Sequence, residues 1–96
     1  MAVIEITTFR LADDVDEAAF LEADERVRTG FLYRQPGLVR ATTARGGGEW
    51  VVVVLWGSGE DADAAATLAE SDAANTELMG LVDRPSIERR RYTTLD

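Results

Sequence analysis

The segment EWVVVVLW, Glu49 to Trp56, is apolar on both of its faces. Side chains along a strand point alternately to opposite sides. Trp50, Val52, Val54 and Trp56 therefore share one face, and Val51, Val53 and Leu55 share the other. A strand of this kind needs cover on both sides. The chain has 96 residues, enough for one domain, 1–96, with a thin core. Leaving Val51, Val53 and Leu55 in water forgoes about 1.5–3 kcal/mol each, or roughly 5–9 kcal/mol together. The net stability of a small domain is only about 5–15 kcal/mol.

The flanking segments define what can supply that cover. Ala2–Phe9 is rich in β-branched residues and reads as a strand. Asp13 or Asp14 suits the start of a helix over Val15–Arg34, with Phe20, Ala23, Val27 and Phe31 as one buried stripe. Pro36-Gly37 stops it. Gly37–Arg45 is a second, more polar strand, and Gly46-Gly47-Gly48 turns the chain into Glu49–Trp56 as a hairpin. Ser58 caps an Ala-rich helix over Ala62–Ala69, with Asp61 three residues on. Ser71-Asp72 breaks or restarts that helix before the short apolar stretch Leu78, Met79 and Val82. Arg84-Pro85-Ser86 reads as a turn, and Ile87–Leu95 as a last strand.

The order is strand, helix, strand, strand, helix, strand. One antiparallel sheet with both helices on one face, in the ferredoxin-like βαββαβ order 4-1-3-2, satisfies it. This order puts the two most apolar strands in the centre. It puts the strands carrying Arg40, Arg45, Arg89, Arg90 and Arg91 at the edges, where charge blunts unwanted pairing. Two helices cover one face only. Packing sets large side chains against small ones, which places Trp50 and Trp56 under the Ala-rich helix. Val51, Val53 and Leu55 then face a second copy of the chain, because a twofold axis lets one patch pair with itself. A homodimer through the sheet face is the expectation.

Composition narrows the chemistry. There is no Cys, so no thiolate nucleophile and no Cys metal site. There is no His, the commonest metal ligand and the usual general base near neutral pH. All ten cationic side chains are Arg, so a lysine Schiff base is excluded. Neither a metal nor another cofactor is expected. A net charge of −8 argues against a nucleic-acid groove or an anionic membrane surface. MAVIEITTFR lacks an apolar leader core, so a cytoplasmic location is expected.

The QPGL turn at Gln35–Leu38, the strand ending LWGS at Leu55–Ser58, the acidic-capped helix after it and the closing RRYTTL at Arg90–Leu95 resemble the dimeric α+β barrel superfamily. Within it, the chain is similar to small proteins of the antibiotic biosynthesis monooxygenase type. The resemblance implies two sheets packed face to face and a small-molecule cavity between sheet and helices in each subunit. It also implies one of several activities, since such proteins include cofactor-independent oxygenases of polycyclic aromatics, haem degraders and members with no assigned activity. The Glu that such proteins often carry two residues before the strand-three Trp is Val54 here. The Trp and His of haem degraders fall at Ala64-Ala65-Ala66 and near Asn75, and their strand-one Asn near Thr7 or Thr8. Haem degradation in the usual manner is therefore not expected.

Several residues carry candidate chemistry, each beside a plainer reading. Trp50 and Trp56 could stack a flat aromatic ligand or simply fill the core. Arg90 and Tyr92 share a face of the last strand, where they could bind a phenolate or carboxylate, or cap an edge. Glu5 lies in a central strand, where a lone carboxylate is costly. It is either a base or the partner of an Arg from strand four or from the second subunit. Tyr33 falls where it could line a pocket mouth. Glu60, Asp61 and Asp63 suit the positive end of a helix rather than a cation. Two functions stand together at this point. One is an oxygenase that holds an electron-rich aromatic on Trp56 and stabilises its phenolate with Arg90 and Tyr92. The other is a non-catalytic homodimer that binds a small ligand or has a filled pocket.

Overall fold

A computed structural model describes residues Met1–Asp96. Its sheet has four antiparallel strands, β1 (Val3–Leu11), β2 (Leu38–Gly46), β3 (Glu49–Trp56) and β4 (Val82–Thr93), in the order β2-β3-β1-β4. This is the expected ferredoxin-like order read from the other edge. β1 and β3 pair from Val3 opposite Trp56 to Phe9 opposite Trp50. Val3, Glu5, Thr7 and Phe9 therefore share a face with the two Trp residues, and Ile4 and Ile6 share the other with Val51, Val53 and Leu55.

Helix α1 (Glu17–Gly30) starts later than the sequence suggests. Asp14 takes a left-handed conformation, φ 65°, in a turn that precedes the helix. The cap is Asp16, whose extended backbone lets its side chain accept from the Ala18 N–H at 3.2 Å. The helix also stops at Gly30. Phe31 turns into the core, and Leu32–Arg34 continue as a 3₁₀ turn. Ser58 caps α2 (Gly59–Ala69) by accepting from the Asp61 N–H at 3.1 Å. Asp72 restarts the chain as α3 (Ala73–Met79), accepting from Asn75 N–H at 3.0 Å.

The helices cover the Trp face, but they divide it. Trp56 packs with Val3, Val54, Ala62 and Ala65 under α2. Trp50 packs with Phe9, Phe20 and Val82 instead, its ring centroid 4.7 Å from that of Phe20 on α1. The expectation that both Trp residues lie under the Ala-rich helix is corrected for Trp50. Six residues of strand span roughly 20 Å, and one helix is only about 10 Å wide. The opposite face carries no helix, and Ile4, Ile6, Val51, Val53 and Leu55 remain half-buried there.

The last strand begins at Val82 rather than Ile87. The expected turn Arg84-Pro85-Ser86 lies inside β4 as a bulge. Asp83 pairs with Arg10 and Glu88 with Thr8, so Arg84–Ile87 stand against Phe9 alone. Pro85, which has no N–H, is tolerated there, and Ser86 Oγ accepts from the Arg10 N–H at 2.8 Å. No helix is long and apolar enough to cross a membrane.

Candidate functional site

Ala62, Ala65, Ala66 and Ala69 repeat at intervals of three and four, so they share one face of α2. That face looks onto the sheet with methyl groups only. Beneath it lies a cavity of about 530 Å³, within the range of small-molecule sites. Its floor is Glu5, Thr7, Val54 and Trp56, its back wall Phe31 and Leu32. Asn75, Thr76 and Met79 of α3 close another side, and Arg84, Arg89 and Arg91 border it from β4.

A polar chain crosses the floor. Trp56 is 2% exposed, and its Nε1–H donates to Glu5 Oε1 at 2.9 Å. The Glu5 Oε2 atom accepts from Arg91 Nη2 at 2.9 Å and from Nε at 3.2 Å. Arg91 Nη2 also lies 2.9 Å from Asp63 Oδ1, just past the start of α2. Donation to the Glu5 and then the Asp63 carboxylate pushes the Arg91 pKa further up, so the guanidinium stays charged at any working pH. Glu5 thus takes the second of its two expected roles, pairing with an arginine of strand four. It fixes the indole plane on one side and the guanidinium on the other.

The other expected site residues scatter. Arg90 pairs with Ile6 and Tyr92 with Ile4, which sends both side chains to the helix-free face, away from Trp56. Tyr92 is 49% exposed there. The sheet therefore separates Arg90 and Tyr92 from Trp56. Arg90 is nevertheless among the residues that border the cavity. Trp50 belongs to the other core cluster, with the Arg45 guanidinium 5.6 Å over its ring. Tyr33 lies outside the cavity, more than half exposed, its hydroxyl donating to the Ala41 carbonyl at 3.3 Å. Of the acidic helix start, Asp61 bonds Ser58 and Asp63 bonds Arg91.

The sequence pattern suggests pairing of the Arg89–Arg91 run with Glu5 or Glu88, which Arg91 makes with Glu5, but it does not mark Arg84, Arg89 and Arg91 as cavity residues. Alternation separates Arg89 and Arg91 from Arg90, yet the face each takes depends on pairing with Glu5 and Thr7 across the bulge. Asp24 was overlooked as well. It is the one buried charged residue, on the α1 stripe beside Phe20, Ala23 and Val27. Burial raises its pKa, and the Thr43 hydroxyl, which donates to Oδ1 at 3.1 Å, and then Arg28 oppose the rise. Its place one residue after Ala23, on the apolar face, was a readable signal.

This sheet order, with helices over one face and a cavity beneath them, defines a class. The chain has the ferredoxin-like α+β fold of solved antibiotic biosynthesis monooxygenase-type structures. It is similar to SnoaB, a cofactor-independent oxygenase from Streptomyces nogalater, at 22% identity over 99% of this chain and 94% of that one. The TM-score is 0.82 with a single-site variant of SnoaB and 0.78 with the parent protein. A provisionally assigned antibiotic biosynthesis monooxygenase from Caulobacter crescentus aligns at TM-score 0.83 and 12% identity, over 99% of this chain and 91% of that one. Rv0793 from Mycobacterium tuberculosis aligns at 0.73 and 18%, over 100% and 97%. No protein-family model matches the sequence, and no curated protein does.

Proposed function

We propose that this chain is an oxygenase that works on an electron-rich aromatic of the anthrone type without a bound cofactor. The observation that carries the reading is the Trp56–Glu5–Arg91 chain on the floor of a cavity roofed by alanines. Trp56 is buried under Ala62 and Ala65 and anchors Glu5 rather than offering a free ring. Glu5 and Asp63 fix the Arg91 guanidinium through Nε and Nη2, and its Nη1 donors remain unpaired; preorganised donors of this kind stabilise a developing oxyanion. The enolate of an anthrone would lie in the cavity under the α2 alanines with its oxygen toward Arg91 and pass electrons to dioxygen. One oxygen atom becomes the new carbonyl of the quinone. The other leaves as water with the two hydrogens of the ring methylene. The likeness to SnoaB supports this choice of reaction. The oxyanion role expected of Arg90 and Tyr92 passes to Arg91, because they occupy the other face.

The proposal includes a homodimer through the helix-free face, where Ile4, Ile6, Val51, Val53 and Leu55 form one apolar surface. Arg90 and Tyr92 would then contact the second subunit.

Oxygen uptake with dithranol tests the reaction. The expected result is consumption above the uncatalysed rate, one anthraquinone per O₂, with no added metal or flavin. Arg91→Gln should lower kcat about tenfold or more, and Trp56→Phe should also lower it. Dithranol bound without oxygen uptake would leave the second reading, a ligand-binding protein without chemistry. Three donors already occupy the Glu5 carboxylate, and this favours that second reading over one in which Glu5 acts as a base.

A further inference from the structure

Arginine usage in this chain is uneven. Arg10, Arg26, Arg28, Arg45 and Arg91 each pair with a carboxylate. Arg34, Arg40, Arg84, Arg89 and Arg90 have no ion pair, although acidic residues outnumber arginines 18 to 10, and three of these five, Arg84, Arg89 and Arg90, border the cavity. Pairing with Ile6 starts the Arg90 side chain on the opposite face, which leaves Arg84 and Arg89 as the unpaired guanidinium groups on the cavity side. Glu70, also on the cavity border, forms no ion pair with either of them. Glu5 is already engaged by Trp56 and Arg91. The β4 bulge adds Arg84–Ile87 against a single β1 residue, and regular pairing opposite Thr7 sets the face of Arg89. The cavity therefore has a mixed interior, roofed by alanines, and unpaired arginines at its border in a protein of net charge −8.

We propose that the ligand is a flat aromatic acid, its ring in the cavity under the α2 alanines and its carboxylate held at the border by Arg84 and Arg89. A guanidinium offers a planar fork of donors that matches a carboxylate. A neutral aromatic of the same shape leaves that border unused. This inference rests on the reading that the cavity takes an aromatic molecule, but it does not depend on turnover.

Calorimetric titration with 9-anthracenecarboxylate and with neutral 9-anthracenemethanol tests it. The acid is expected to bind about tenfold more tightly, and more weakly as salt is added. In Arg84→Gln/Arg89→Gln the ratio of the two affinities should fall toward one. The exposed, unpaired Arg34, changed to Gln, should leave the ratio unchanged. Circular dichroism shows whether each variant is folded. Equal affinities for the two probes in the parent protein, or a ratio preserved in the double variant, would overturn the aromatic-acid assignment alone. Acid preference without oxygen uptake from dithranol would sink the oxygenase reading and leave this one standing. Binding of neither probe would remove both.

Discussion

Trp56 and Glu5, 51 positions apart in the chain, meet at 2.9 Å through an indole N–H and a carboxylate oxygen. β1–β3 pairing brings them together, since Val3 lies opposite Trp56 and Glu5 opposite Val54. Glu5→Ala leaves that N–H without an acceptor in a buried setting, at a cost of about 1–3 kcal/mol. Chemical denaturation should show the loss. Glu5→Gln keeps an acceptor for Trp56 and should lose less. Equal stability of Glu5→Ala and the parent would show that the contact is dispensable.

Gly37 holds φ at +83°, and a Cβ there would overlap the Asp61 carboxylate. Its carbonyl also accepts from the Gly57 N–H at 2.7 Å, joining the turn before β2 to the end of β3. Gly37→Ala should destabilise by about 1–3 kcal/mol from backbone strain alone, read as a lower Tm. Adding Asp61→Ala should recover only the part due to overlap, and full recovery would refute the backbone account.

Asp24 ties α1 to β2 through Thr43, with its pKa raised above 3.8 chiefly by burial. A carboxyl raised on folding contributes most below its unfolded value, and that contribution is lost as pH rises through the folded value. Asp24→Asn, which keeps an acceptor for Thr43, should match the parent at about pH 3 and exceed it near pH 7. Urea midpoints across that range give the comparison. A larger advantage in acid would reverse the sign and discard burial as the cause.

Val53 sits at the middle of the helix-free face, opposite Ile6 on β1 and Thr42 on β2. Sedimentation should find the parent protein as a dimer and Val53→Asp as monomer or aggregate, because a carboxylate buried between two copies has no partner. A soluble dimer of Val53→Asp would place the seam elsewhere.

The sheet was largely legible because its signal is local. Alternation in Glu49–Trp56 and the three glycines before it define β3 and the hairpin, and polarity separates central from edge strands. Ser58 and Asp72 announce their helices by short-range hydrogen bonds. What was not legible depends on relations between distant segments. The partition of Trp50 and Trp56 between two helices follows from strand length against helix width. Alternation in RRR sets Arg90 apart from its neighbours, but which of the two faces meets the cavity follows from pairing with Glu5 and Thr7 on a distant strand. Asp14 misled because its conformation is left-handed, which a capping motif does not reveal.

The alanine row on α2 gives the cavity a ceiling that single substitutions can lower without disturbing the sheet. Ala66→Leu or Ala69→Leu, at positions outside the packed core, would intrude from above, while Trp56, Glu5 and Arg91 keep their places below. Ligand size in this fold can thus drift independently of the groups that grip the ligand, one helical turn at a time.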